Sequence, residues 1–270
     1  MFQNQKFMIV LDLDGTLLTS EKTISKKTKD VLTRLSREGH IVTMASGRPP
    51  RAILPYYDFL ALDAPLIGYN GSIVLNPCEH KTLFERRFSL PKVLSFLDAF
   101  PSSLFLNIEA EYGDEMFFLH PQEKYEDYFH REGMKCHYGE LKDRLKEDLN
   151  AFLIEVKDPK DKVMMSRFAE RYDDIGLRFW YDSDHVGEFY FYDVNKATAI
   201  RTLEKIYGID RAHVICFGDA DNDIEMIGTA GISFAMKNGS PELKEVADYV
   251  TPEDNDHDGI ALALTEVLGL

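Results

Sequence analysis

Cysteine is scarce in this chain, with three among 270 residues, at Cys78, Cys136 and Cys216. An odd number at wide spacing, without a Cys-x-x-Cys pair, argues against a disulfide framework or a structural zinc site and suits a reducing compartment. Long apolar runs are missing too: none approaches the ~20 residues that cross a bilayer. The start, Met1-Phe2-Gln3-Asn4-Gln5-Lys6, passes straight into a strand-like run without the basic and apolar regions of a secretory leader, so a soluble, cytoplasmic protein is expected. Positive charge is in short supply as well. With 31 Lys and Arg against 46 Asp and Glu, the formal net charge is -15, which disfavours nucleic acid as a partner. A membrane partner is not expected either. An anion can still be bound locally, because a lysine, backbone amides and a bound cation reverse the potential inside a pocket.

What the chain does have is acids at the ends of apolar runs. Phe7 to Leu11 reads as a buried strand that stops at Asp12-Leu13-Asp14-Gly15-Thr16, and Val214 to Phe217 as another that stops at Gly218-Asp219-Ala220-Asp221-Asn222-Asp223. Between them, Val42 to Ala45 ends in Ser46-Gly47-Arg48, and Asn195-Lys196 opens an amphipathic helix carrying Ile200, Leu203 and Ile206. Each feature has an ordinary explanation alone: Asp14-Gly15 as a turn, Asn222 and Asp223 as helix caps, Lys196 as a solvated lysine. Their order along the chain raises them together. In open α/β sheets ligands bind at the carboxyl ends of strands. Carboxylates converging there repel, and each stays protonated unless a cation sits among them. All-oxygen ligation without nearby His or Cys favours Mg²⁺ over Zn²⁺.

The four segments, Asp-Leu-Asp-Gly-Thr, Ser-Gly-Arg, a lone lysine and Gly-Asp-x-x-Asn-Asp, resemble in order the motifs of the haloacid dehalogenase-like phosphohydrolases. Tyr69-Asn70-Gly71-Ser72, Ala235-Met236-Lys237-Asn238-Gly239, Ala247-Asp248-Tyr249-Val250 and Asp258-Gly259-Ile260 look like the Cof-type sugar-phosphatase branch. The resemblance implies a Rossmann-like parallel-sheet core with an inserted α+β cap. It further implies Mg²⁺-dependent hydrolysis of small phosphomonoesters, sugar phosphates above all, through an aspartyl-phosphate. Asp12 would be the nucleophile and Asp14 the proton donor and acceptor, its carboxyl kept protonated. Lys196 would neutralise charge on the phosphoryl oxygens. Ser46, Gly47, Asn70 and Asn222 would bind the phosphate, with Asn238 a further candidate. Asp12, Asp219 and Asp223 would hold the metal with the Asp14 carbonyl, Asp223 directly or through water. Asp221 stays outside the site, and Arg48 anchors its loop. Ala197 follows the lysine where many relatives have glycine, a small change that bears on phosphate affinity.

Helical spacing at Ile24, Val31, Leu32 and Leu35, strands at 40–45 and 65–69, and a helix at 51–60 make the first part alternating β and α, hence a parallel sheet. The same texture returns from Lys196, with a helix to Tyr207, strands at 214–217 and 231–236, and a helix over 259–268. The core is therefore expected to be discontinuous, 1–83 and 191–270. Residues 84–190 form the insertion, with aromatic strand candidates at 104–108, 116–119, 152–156 and 189–192 and helices at 91–100, 122–131 and 161–172. Tyr112, Phe117, Phe118, Tyr128, Trp180 and Tyr181 are read chiefly as packing residues. The connections near Leu83 and Phe191 would act as hinges for cap closure. Two alternatives remain open on sequence: a phosphoryl transferase resembling a phosphomutase, and a non-catalytic metal- or phosphate-binding regulatory protein. The expected partner is a small phosphorylated metabolite. The physiological ester and the oligomeric state are not fixed.

Overall fold

Successive residues of a strand face opposite sides of a sheet, and the first strand, Met8–Leu11, shows what that does for a chain apolar at every position. Phe7, Ile9 and Leu11 enter one buried layer with Leu32, Leu35, Ile260 and Leu264, whereas Met8 and Val10 enter the other with Ile200, Leu203, Met226 and Leu243. Helices therefore cover both faces. The computed structural model describes residues 5–121, 130–180, 183 and 185–270. The helix expected at 122–131 and the residues Tyr128 and Tyr181 fall wholly or largely outside these.

Contacts divide the chain into Met1–Glu85 with Val194–Leu270, and Arg86–Asp193. The first unit carries a parallel sheet in the order Tyr249–Val250, Ile232–Ala235, Val214–Gly218, Met8–Leu11, Ile41–Met44. Met8–Leu11 is central, so its residues need to be apolar on both faces. Strand Leu66–Gly68 follows through a single parallel bridge between Ala45 and Ile67 and is continued antiparallel by Ile73–Asn76 and Lys81–Glu85. The helices expected at 196–207 and 259–268 span Lys196–Tyr207 and Gly259–Leu268.

The second unit is an α+β layer with its own sheet, in the order Ile175–Phe179, Val186–Phe191, Ala151–Val156, Phe105–Tyr112, Glu115–Phe118, Lys135–Tyr138. Its pairs are antiparallel except the last. Helices Leu90–Ala99 and Lys162–Ala169 contribute Phe96 and Phe168 to an aromatic group with Phe100, Phe105, Phe152 and Phe189, whose rings meet edge to face or tilted. Phe117 and Phe118 are buried, as packing residues should be.

Candidate active site

Strand register brings the motif residues to one edge. Leu11 is paired with Phe217 on one side and Met44 on the other. The residues that follow, Asp12, Gly218-Asp219 and Ala45-Ser46, thus leave the sheet side by side. Asp12 and Asp223 are buried, and Lys196 is completely buried between them, its Nζ donating to Asp12 Oδ1 and to Asp223 Oδ1 at 2.6 Å each. The lysine is delivered by the start of its helix, where Asn195 and Thr198 cap each other: Thr198 N–H donates to Asn195 Oδ1 and Asn195 N–H to Thr198 Oγ1, both at 3.0 Å. Gly71 makes room for that helix start. Its φ is +104°, and a Cβ there would lie 2.2 Å from the Asn195 carbonyl oxygen. Ala197 is buried directly behind the lysine.

Asp223 is held on both oxygens, since Oδ2 accepts N–H bonds from Asp219 at 3.0 Å and Ala220 at 3.2 Å. Asp219 Oδ1 accepts from the buried Thr16 hydroxyl at 3.0 Å. Gly15, at φ +73°, fits against the same carboxylate, where a Cβ would come within 2.3 Å of Asp219 Oδ2. Oxygens of Asp12, Asp219 and Asp223 lie within 4.8 Å of one another.

Three carboxylates around one lysine leave the cluster short of positive charge. Burial raises the Asp12 carboxyl well above the usual range, with Asp223 and Asp219 adding to the effect and Lys196 opposing it. Burial, then Asp223, pushes Asp219 up to about 6 against the Thr16 hydrogen bond and Lys196. Burial alone would lower Lys196, but Asp12 and Asp223 override it and keep it protonated. A hard divalent cation among such oxygens removes the imbalance, so the donor set fits Mg²⁺.

The second strand supplies a different group. Ser46 is buried, its carbonyl accepts the Asn70 N–H at 3.0 Å, and its hydroxyl oxygen accepts the Arg48 N–H at 3.2 Å, leaving the hydroxyl proton for a further acceptor. Tyr69, Asn70 and Gly71 are consecutive left-handed residues, at φ +47°, +53° and +104°. Such a run is costly for residues with a side chain, and its partners hold it. Asn222 Nδ2 donates to Asn70 Oδ1 at 3.0 Å, and Gly47 packs on the Asn70 amide. Ser46, Gly47, Asn70 and Asn222 are thereby joined.

A family model described as haloacid dehalogenase-like hydrolase matches residues 9–264, almost the whole chain. The chain belongs to the haloacid dehalogenase-like hydrolases. The chain is similar to the 5-amino-6-(5-phospho-D-ribitylamino)uracil phosphatase YitU of Bacillus subtilis, 33% identical over 270 residues, covering 99% of this chain and 100% of that one. A phosphatase of the same name in Escherichia coli, YbjI, is 26% identical over 274 residues, covering 97% and 96%. A haloacid dehalogenase-like hydrolase from Bacteroides thetaiotaomicron superposes with a TM-score of 0.82 at 26% identity, covering 97% of this chain and 100% of that one. The enzyme class of this haloacid dehalogenase-like protein is phosphatase.

One expected site residue stands apart. The Asp14 carboxylate is not among the three clustered acids. Arg48 grips it with two bonds, Nε to Oδ2 and Nη2 to Oδ1, and Lys22 Nζ reaches Oδ1, each at 2.6 Å. Burial alone would raise its pKa, but the hydrogen bonds and charges of Arg48 and Lys22 outweigh burial and lower it to about 2. The expected protonated carboxyl is therefore ionised here, because two cations have claimed it. Arg48 anchors more than its own loop, tying it to the turn after the first strand. Residues not singled out from sequence also matter: Thr16 on Asp219, Lys22 on Asp14, and Asn195 capping the lysine helix. Asn238 Nδ2 donates to the Gly15 carbonyl at 2.7 Å, steadying that turn. A Thr one residue after Asp-Gly was the available signal for Thr16, whereas nothing in sequence marked Lys22.

Proposed function

We propose that this phosphatase hydrolyses small phosphomonoesters of sugars or sugar alcohols, with Mg²⁺ and an aspartyl-phosphate on Asp12. One observation carries the reading: Lys196 occupies Asp12 Oδ1, while among the described residues Asp12 Oδ2 accepts no hydrogen bond. A carboxylate fixed on one oxygen and open on the other is oriented for attack. Oδ2 forms the bond to phosphorus as the ester P–O bond breaks. The leaving oxygen takes the electron pair and receives a proton from the Asp14 carboxyl. In the second half, Asp14 takes a proton from water, whose oxygen attacks phosphorus and returns Asp12 as a carboxylate.

Lys196 balances charge on Asp12 in both states, and Ser46, Gly47, Asn70 and Asn222 receive the phosphoryl oxygens. Asp12 and Asp219, with the Asp14 backbone carbonyl, would hold Mg²⁺. Asp223, with both oxygens already engaged, would contribute through water. When bound, the cation supplies charge neutralisation to the phosphoryl oxygens. The inserted unit is the proposed cap domain, and substrate choice is assigned to it.

The ester itself is read from relatives. Two of them, one matched along its whole length, are named for a phosphate on a ribityl chain. A polyol phosphate of that kind is accordingly the first candidate, alongside hexose and pentose phosphates. The test is release of inorganic phosphate from a panel containing these esters, with and without Mg²⁺, ranked by kcat/KM. Cation-dependent release led by a sugar or polyol phosphate is expected. Cation-independent release, or transfer of phosphate to a second alcohol, would contradict it.

A further inference from the structure

Asp14 closes a ring of four residues drawn from three segments. Its partners Arg48 and Lys22 are linked in turn through Tyr56: the Tyr56 hydroxyl donates to the Lys22 carbonyl at 3.3 Å, and the Arg48 guanidinium carbon lies 5.7 Å from the Tyr56 ring centroid. Lys22 is no chance neighbour. It sits at φ +57°, at the tip of a turn fixed by Thr19 N–H to Thr23 carbonyl and Lys22 N–H to Thr19 carbonyl bonds, both 2.8 Å. Ser20, on the same turn, donates its N–H and hydroxyl to the two oxygens of Asp256 at 2.7 and 2.6 Å. Asn255 Nδ2 donates to the Leu18 carbonyl at 2.8 Å. A non-glycine residue in left-handed backbone is an arrangement the surroundings must hold in place, and here it aims the ammonium at Asp14.

We infer that Lys22 and Tyr56 are positioning residues for proton transfer: with Arg48 they hold Asp14 outside the Asp12, Asp219 and Asp223 cluster, and Asp14 reaches the leaving-group oxygen only by giving up the Lys22 contact. This rests on the reading of Asp14 as proton donor given above. Both Asp14 oxygens are engaged by cationic donors, so the side chain must release a contact before it can turn toward a leaving group. The two cations differ in how firmly they hold. The Arg48 side chain is 14% exposed and grips through two bonds, whereas the Lys22 side chain is 56% exposed and grips through one. Lys22 is the weaker tether, and Tyr56, bonded to its backbone, sets where it points.

The assay compares two substrates in Lys22→Met, Lys22→Arg and Tyr56→Phe enzymes. A sugar phosphate has a poor leaving group that needs a proton, while p-nitrophenyl phosphate has a leaving group that departs without one. The ratio of their kcat/KM values reports the first half-reaction alone, so product release does not enter. Lys22→Met is expected to raise the sugar phosphate to p-nitrophenyl phosphate ratio about two- to fivefold, the scale of an exposed ion pair. Tyr56→Phe should move it in the same direction by less, and Lys22→Arg should restore it. An unchanged or lowered ratio in Lys22→Met, including an equal fall for both substrates, would overturn the inference. Asp14→Asn separates the two levels: it should depress the sugar phosphate far more than p-nitrophenyl phosphate. Equal loss in that variant would instead refute Asp14 as the donor.

Discussion

Asp12 and Asp14 are separated by a single residue, yet they occupy opposite electrostatic surroundings. Around Asp12, three carboxylates share one lysine in a buried cluster, and acid pKa values rise. Around Asp14, one half-exposed carboxylate is shared by two cations, and its pKa falls to about 2. Water cannot relieve the first imbalance, so a buried pair that loses a partner becomes strongly unfavourable. Water screens the second, so it can be made and broken cheaply. The difference separates a rigid charge-deficient centre, suited to holding a cation and an anionic ester, from a reversible contact, suited to a group that must move.

The comparison breaks most visibly at Asp12. Asp12→Asn keeps a hydrogen-bond acceptor for Lys196, so circular dichroism should show the fold retained, while turnover falls by ~10⁴-fold or more. Turnover within about tenfold of the parent would remove the cluster from the chemistry. Lys196→Met should be the largest stability defect, because it strands Asp12 and Asp223 in the interior. Urea unfolding at pH 7 should show a loss of ~3–5 kcal/mol. A loss under ~1 kcal/mol would mean the cluster is far wetter than its burial indicates.

Cation binding sharpens the same contrast. Asp219 titrates in the fold near 6, above the ordinary carboxylate value, so its proton is retained as pH rises through 4 and leaves only as pH passes about 6. Without a cation, this group's cost to stability grows as pH rises above the unfolded value of ~4 and is complete once pH passes about 6. Mg²⁺ competes with the proton, so the rise in Tm on adding Mg²⁺ should be small at pH 5 and full above about pH 7. At a hundredfold excess over Kd the added unfolding free energy should reach ~2.7 kcal/mol. A Mg²⁺ effect independent of pH between 5 and 7 would contradict it.

The smallest effect belongs to Asp14. Its lowered pKa contributes stability that is present above the unfolded value near ~3.9 and disappears as pH falls through about 2. Exposure and salt limit that contribution, so Asp14→Asn should cost under ~1 kcal/mol at pH 7 in urea unfolding. A loss comparable to Lys196→Met would erase the distinction between the two regions.

The fold was legible where burial dictates sequence. Met8–Leu11 and Val214–Gly218 are covered on both faces and had to be continuous apolar runs, and the acids at their ends could be read as sharing a sheet edge. Helices Lys196–Tyr207 and Gly259–Leu268 announced themselves through apolar spacing. Strands Lys81–Glu85 and Lys135–Tyr138 did not, since they are largely exposed or half-buried and lack a clean alternation. Within the site, the clustering of Asp12, Asp219 and Asp223 follows from strand register. The state of Asp14 does not. It depends on Arg48, brought alongside by that register, and on the left-handed backbone of Lys22, and neither contact leaves a pattern in the residues flanking Asp14.

The central claim is that Asp12 Oδ2 becomes bonded to phosphorus during turnover. Enzyme mixed with Mg²⁺ and a sugar phosphate, quenched in acid within milliseconds and treated with borohydride, would have any aspartyl-phosphate reduced to homoserine, which peptide mass spectrometry locates. Homoserine at position 12, present only when substrate is added, is the expected result. Homoserine at another aspartate, or at none while phosphate is being released, would contradict the account.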